Sequence, residues 1–322
     1  MGRPPVFVSV PLPQAYLEPL LARCEVAAYE GRGQVPRDEL LRALAEAEGL
    51  LATAVLPLDA EVLEAASRLR AISNIGVGYD NVDLERATRR GIRVTNTPGV
   101  LSDAVAELTV ALMLMLARRL PEDQRFVDKR LWGRAGAAVP MGTDLKGKTL
   151  AIVGMGRIGC EVAQRALAFG MRVVYYDVSP AATAPSGVMH VSSLRDALWQ
   201  GDFVSLHTNL TLQSQHLIGA RELAQMKPTA YLVNTSRGGV VDQAALYEAL
   251  RAGRIAGAAL DVLEEEPPPA DEPLLTLPNV IITPHIGTAT RETRSAMIEL
   301  AVRNLIACLF DEPCDCIVNQ LT

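Results

Sequence analysis

The chain is poor in aromatic residues, histidine and cysteine. Only 4% of its 322 residues are Phe, Trp or Tyr, with two tryptophans, four histidines and five cysteines. Cysteines that are few, odd in number and scattered do not form the framework of a disulfide-stapled secreted domain. Cys314 and Cys316 are close in sequence, but no second pair or nearby histidine completes a metal-ligand set, and no two histidines are spaced as ligands on one helix face. No metal is therefore expected. Positive charge is also scarce. Lys and Arg total 31 against 37 Asp and Glu, a formal net charge of −6, whereas nucleic acid or an acidic membrane surface calls for a basic face. Long hydrophobic runs are missing too. The most apolar stretch, 104–116, carries Glu107 and ends at Arg118-Arg119, so it reads as a buried or subunit-contact helix rather than a span. The opening Met-Gly-Arg-Pro-Pro leads into an apolar run at 6–10 and reads as neither a signal peptide nor a transit sequence. A cytoplasmic location is expected.

What the chain does have is apolar residues in a regular pattern. A 49% hydrophobic fraction with 21% charged residues suits a well-packed α/β protein, and the length suits two domains. Apolar runs at 6–10, 25–29, 50–55, 71–75 and 92–95 alternate with amphipathic stretches such as 37–47 and 60–69. That alternation predicts a small parallel sheet with helices on both faces. A second sheet is predicted to begin with the long helix near 102 and to run to about 287. The amphipathic stretch 291–309 needs a partner surface and is expected to pack back on the first sheet.

The most informative stretch is Leu150-Ala-Ile-Val-Gly-Met-Gly-Arg-Ile-Gly159. Four apolar residues read as a buried strand, and Gly154, Gly156 and Gly159 then open a helix that Gly170 stops. A second strand follows and ends at Asp177, eighteen residues beyond Gly159. This strand, glycine turn, helix, strand and acid form the unit that cradles a dinucleotide. Gly154 permits the tight turn, Gly156 lets the backbone approach a pyrophosphate, and Gly159 lets the helix pack closely. The helix N-terminus presents N–H groups to the phosphates. A carboxylate at Asp177, followed by Val178-Ser179-Pro180 without a base, favours NAD(H), with NADP(H) left open by Arg157 in the turn.

Three later strands each end in a notable polar residue. Val233-Asn-Thr-Ser236 delivers Arg237, Leu260 delivers Asp261 with Glu266 just beyond it, and Ile281-Ile-Thr-Pro delivers His285. Ligands bind at the carboxyl ends of parallel strands, so an arginine, a carboxylate and a histidine are expected to converge beside the nicotinamide. Reduction of a 2-oxo acid needs those groups. A guanidinium grips the substrate, a histidine protonates the carbonyl oxygen near neutral pH, and a carboxylate on its other nitrogen fixes the ring. His207, at the end of another strand, is expected near the adenosine half of the cofactor, whereas His190 and His216 are not expected to act. A second glycine pair, Gly76-Val-Gly78, follows the strand at 71–75 and offers N–H groups for a small anion.

Together, Ile75-Gly-Val-Gly-Tyr-Asp-Asn-Val-Asp83, Val94-Thr-Asn-Thr-Pro-Gly99, Ala106-Glu-Leu-Thr109, the glycine turn, Val233-Asn-Thr-Ser-Arg-Gly238, Leu260-Asp-Val262 and Thr283-Pro-His-Ile-Gly287 resemble the D-isomer-specific 2-hydroxyacid dehydrogenases. They most resemble the glyoxylate/hydroxypyruvate reductase branch. The resemblance implies Arg237, Glu266 and His285 as the catalytic trio. It also implies Val77 and Gly78 at the substrate carboxylate, with Arg237 and His285 as further substrate contacts. Along the cofactor it implies Gly154, Gly156, Arg157, Ile158, Gly159, Asp177, Thr208, Asn209, Thr235, Asp261 and Thr109. The fold expected is α/β with two doubly wound parallel-sheet domains and an active-site cleft between them. A Rossmann NAD-binding domain would span 102–287, and a flavodoxin-like substrate-binding domain 1–101 plus 288–322. The resemblance further implies a homodimer through the cofactor domains, with the 118–145 arm exchanged. The arm segment Trp132–Pro140 lacks the extra tryptophans of animal hydroxypyruvate reductases, which leaves the substrate open. Rival readings are a dehydrogenase for a keto-sugar acid, a D-lactate-like acid or phosphite, or a non-catalytic NAD(H)-sensing protein like the co-repressors of this fold.

Overall fold

The computed structural model describes residues 2–319. It divides into two compact units, the described part of Met1–Leu101 with Thr290–Thr322, and Ser102–Ala289. In the first unit, strands β1 (Pro5–Val8), β2 (Glu25–Ala28), β3 (Gly49–Thr53), β4 (Ala71–Ile75) and β5 (Arg93–Thr95) form a parallel sheet in the order β2-β1-β3-β4-β5. That is the 2-1-3-4-5 order of flavodoxin-like sheets. The strands are short and apolar because helices cover both faces, so β4 is buried along its whole length.

Three strands stop sooner than their apolar runs, that at 25–29 by one residue at Ala28. The run at 50–55 leaves the sheet after Thr53, where the Leu56 N–H turns back to the Thr53 carbonyl at 3.1 Å. The run at 6–10 ends at Val8, just before Pro11.

The Arg291–Leu309 helix packs on β3, β4 and β5 and on the Gln14–Arg23 helix. A Cβ on Gly49 would lie 2.9 Å from Leu309 and 3.1 Å from Val6, so glycine is what lets the helix sit this close to the sheet. Arg70 and Arg93 donate to the carbonyls of Leu309 and Cys308 at 3.2 and 2.6 Å. These cations satisfy the otherwise unpaired end of the helix. Fully buried Leu305 contributes on the order of 2 kcal/mol by leaving water.

The second unit holds β6 (Thr149–Val153), β7 (Arg172–Tyr176), β8 (Val188–His190), β9 (Phe203–Leu206), β10 (Tyr231–Asn234), β11 (Gly257–Leu260) and β12 (Val280–Ile282). All neighbours are parallel, in the order β12-β11-β10-β9-β6-β7-β8. Counted from β6 this is 3-2-1-4-5-6 with one added strand, the dinucleotide-binding order. The β6 side chains alternate between two cores. Leu150 and Ile152 meet the Ser102–Ala117 and Arg157–Ala168 helices on one face, while Ala151 and Val153 join Val204, Leu206 and Leu232 on the other. Strand order reverses between β6 and β9, and the crevice at such a switch point is where ligands bind.

Candidate active site

The switch point is built around the glycine turn. Gly154 has φ +95°, and a Cβ there would lie 2.7 Å from the carbonyl oxygen of His207 at the end of β9. Both facts require glycine. A Cβ on Gly159 would lie 2.3 Å from the Gly154 carbonyl oxygen, whereas one on Gly156 would meet nothing within 4 Å. The turn is thus tight at its first glycine, open at the second and closely packed at the third. The open position, backed by a twelve-residue helix beginning at Arg157, fits the approach of a dinucleotide pyrophosphate.

Around this turn, the Asp177 carboxylate accepts the N–H of Met155 at 2.8 Å and of Val178 at 2.7 Å. Its oxygens are therefore fixed in place, with lone pairs left over for further donors. His207 donates to or accepts from Ser205 Oγ through Nε2 at 2.8 Å. Its Nδ1 is buried without a partner among the described residues, as is the hydroxyl of neighbouring Thr208. Burial pushes the His207 pKa down to about 3, so the ring is neutral near pH 7. Arg157 and Asn209 are exposed and Ile158 is half-buried. Thr109 and Thr235 are buried and share a 2.9 Å hydrogen bond, joining the Ser102–Ala117 helix to the end of β10.

The ends of β10, β11 and β12 are adjacent, with Asn234 beside Leu260 and Leu260 beside Ile282. The loops that follow carry Arg237, Asp261 with Glu266, and His285. His285 Nδ1 lies 2.6 Å from Glu266 Oε2, and the other Glu266 oxygen accepts the Leu263 N–H at 3.0 Å. Burial works to raise the Glu266 pKa. The His285 hydrogen bond and charge, the Leu263 N–H and the Arg237 guanidinium outweigh it and hold the carboxyl below its ordinary value. Arg237 and Glu266 therefore act on each other electrostatically. Their loops are pressed together at Gly238, where a Cβ would lie 1.9 Å from the Leu263 carbonyl.

Two residues hold these loops in place. Asn234, buried at the end of β10, accepts the N–H and hydroxyl of Ser236 at 3.0 and 2.8 Å and donates to the Arg237 carbonyl at 2.9 Å. Sequence reasoning passed it over, although a buried polar residue closing an apolar strand is itself a signal. Asp261, 2% exposed, clamps the segment that carries His285. Its Oδ1 accepts the Thr283 hydroxyl at 2.6 Å and the Ile286 N–H at 2.8 Å, and its Oδ2 accepts the Gly287 N–H at 2.8 Å. Within that clamp His285 adopts φ +52°, a left-handed conformation costing roughly 1–2 kcal/mol for a residue with a side chain. Of the remaining positions, Val77 and Gly78 follow β4 in the first unit and are half-buried. His216 pairs with Glu264 at 2.9 Å, and His190 packs against the Tyr175 ring; neither belongs to the trio.

Comparison with known proteins accords with this architecture. Residues 110–287 match the NAD binding domain of the D-isomer specific 2-hydroxyacid dehydrogenases. A glyoxylate reductase of Korarchaeum cryptofilum is 46% identical over 321 residues, covering 99% of this chain and 96% of that protein. A Thermus thermophilus protein of known structure superposes with a TM-score of 0.89 at 47% identity, covering 98% of this chain and 99% of the other. The NADPH-dependent glyoxylate/hydroxypyruvate reductase of Sinorhizobium meliloti, solved with NADP and malonate, superposes with a TM-score of 0.87 at 34% identity over 98% of this chain and 97% of its own. The chain is an oxidoreductase acting on a CH–OH or oxo group, and it belongs to the D-isomer specific 2-hydroxyacid dehydrogenase family, on its glyoxylate reductase branch.

Proposed function

We propose that this protein reduces glyoxylate or hydroxypyruvate to the corresponding D-2-hydroxy acid, using NAD(H) in preference to NADP(H). The observation that carries the reading is the 2.6 Å His285–Glu266 pair, on loops from adjacent strand ends that also carry Arg237. The glycine turn, Arg157, Ile158, Asp177, Thr208, Asn209, Thr235, Asp261 and Thr109 would hold the cofactor, whose nicotinamide would supply the hydride in the direction of reduction.

The chain supplies the rest. Glu266 occupies Nδ1 of His285, so Nε2 is the nitrogen that carries the transferable proton. As charge builds on the substrate carbonyl oxygen, His285 donates that proton and the hydroxyl forms. General-acid assistance of this kind contributes about 10²–10⁴-fold. Arg237 orients the substrate and offsets the developing charge, and the N–H groups of Val77 and Gly78 receive the carboxylate. Asp177, fixed by two backbone N–H groups, accepts from ribose hydroxyls and repels a 2′-phosphate.

The working form is a cytoplasmic homodimer built on the second unit. In support, the arm following the Ser102–Ala117 helix exposes Trp132, Val139 and Met141, at 78%, 56% and 83%. The substrate assignment is tested by steady-state rates on glyoxylate, hydroxypyruvate, D-lactate-type acids and phosphite with each cofactor. Fastest turnover of glyoxylate or hydroxypyruvate with NADH is expected. Inactivity toward every 2-oxo acid, or preference for phosphite, overturns the assignment.

A further inference from the structure

Among the described residues, the turn Gly76-Val77-Gly78 is held through its carbonyl groups. The Gly76 carbonyl accepts the Thr97 N–H at 2.9 Å. The Val77 carbonyl accepts the Asn96 side-chain amide at 2.7 Å, and the Gly78 carbonyl accepts that of Asn74 at 3.2 Å. In a planar trans peptide the N–H points away from the preceding carbonyl. Fixing these three carbonyls therefore fixes the N–H groups of Val77, Gly78 and Tyr79 in the opposite directions. Among the described residues none of those three N–H groups has an acceptor. Consecutive free N–H groups on one turn make an anion-binding nest.

The two asparagines are themselves tightly held. Asn74 is fully buried and Asn96 is 7% exposed. Asn74 shares its amide with Asn81 Oδ1 at 2.9 Å, and Asn81 donates to the Leu56 carbonyl at 2.8 Å. Asn96 is gripped through its backbone, since its carbonyl accepts the Asn304 amide at 2.9 Å and its N–H donates to the Cys316 carbonyl at 3.3 Å. Asn74 is anchored through its side-chain nitrogen alone, since its Oδ1 is buried without a partner among the described residues, and the turn is held at its three carbonyls by these donors and the Thr97 N–H. A Cβ on Gly76 would lie 2.7 Å from the Ala54 side chain, which closes off movement of the turn toward β3.

We propose that Asn96 and Asn74 are positioning residues for substrate. By anchoring the Val77 and Gly78 carbonyls they aim the turn's N–H groups at the carboxylate of a 2-oxo acid, and the final helix, through Asn304, keeps Asn96 in place. The inference rests on the proposed reading of Val77 and Gly78 as the carboxylate site.

The test uses the whole protein with NADH, and oxamate as a carboxylate probe that is not reduced. Asn96→Leu keeps the bulk of the side chain and removes the donor. It is expected to raise the glyoxylate KM and the oxamate inhibition constant together, each by about tenfold, while the Kd for NADH stays within about twofold. A purely structural asparagine would lower Tm and leave KM unchanged, and that result in folded Asn96→Leu protein overturns the proposal. A second measurement needs no variant. In the NADH-bound wild type, oxamate should slow hydrogen exchange at the Val77 and Gly78 amides, and unchanged exchange there overturns the proposal as well. Wild-type protein that reduces glyoxylate while Asn96→Leu keeps its KM removes this inference alone. Wild-type protein inactive on every 2-oxo acid removes the functional reading, and the exchange experiment still reports whether the nest takes a carboxylate.

Discussion

Glu266 and His285 are nineteen residues apart in sequence, yet a carboxylate oxygen of one lies 2.6 Å from Nδ1 of the other. The imidazole hydrogen bond and charge help to hold the Glu266 carboxyl below its ordinary value. Glu266→Gln keeps the size and removes the charge. It should lower kcat for reduction by about one to two orders of magnitude, because the charge-assisted bond that orients the His285 ring through Nδ1 becomes a neutral one. Steady-state kinetics on glyoxylate check this, and a kcat within a few-fold of the parent would contradict it.

Two glycines separate cofactor binding from chemistry. Gly154→Ala combines φ +95° with a 2.7 Å approach to the His207 carbonyl, so it should cost several-fold or more in NADH affinity through strain of about 1–3 kcal/mol. Gly238→Ala would drive a Cβ to 1.9 Å from the Leu263 carbonyl and push apart the loops bearing Arg237 and Glu266. Its main expected effect is on kcat, with Tm lowered. NADH titration and steady-state kinetics on both variants should give opposite emphases.

Acid stability should depend on His207. Burial moves its pKa from 6.5 down to about 3, so between those values the unfolded chain binds a proton that the folded chain refuses. Stability from this group is complete above pH 6.5 and is lost as pH falls, by about 1.4 kcal/mol per pH unit. In His207→Asn the dependence of Tm on pH between 6.5 and 4 should be shallower than in the parent. An equal slope would show that the ring takes up its proton without penalty.

Asp177 should set the choice of cofactor. Asp177→Ser removes the charge that disfavours a 2′-phosphate and should shift the NADPH to NADH ratio of kcat/KM about tenfold or more toward NADPH. The two N–H groups it holds make some loss with both cofactors expected. Parallel kinetics with the two reduced cofactors decide the point, and an unchanged ratio would assign Asp177 to the turn alone.

The fold was largely legible because its signals are local. Apolar runs of strand length, the glycine spacing at 154–159 and the amphipathic stretch 291–309 correspond to β4, β6, the dinucleotide helix and the final helix. Strand ends were less legible. The run at 50–55 looks continuous, but β3 stops at Thr53, where the Leu56 N–H takes the Thr53 carbonyl at 3.1 Å and Asn81 holds the Leu56 carbonyl. Arg237, Glu266 and His285 could be proposed together because each lies in the loop after a strand, and parallel strands present their carboxyl ends together. The bonds that hold their loops could not be read, although Asp261 itself could be named. The Asp261 clamp depends on backbone donors more than twenty residues away, and the Asn96 anchor on a residue of the last helix. Side-chain bonds to distant backbone leave no periodicity in a sequence.

Proton delivery by His285 is tested most directly by His285→Gln, with turnover of glyoxylate and binding of NADH measured on the same preparation. Loss of about 10²–10⁴-fold in kcat, with the Kd for NADH held within about twofold, is the expected result. Turnover within a few-fold of the parent would contradict proton donation by this ring and with it the catalytic role of the Glu266–His285 pair.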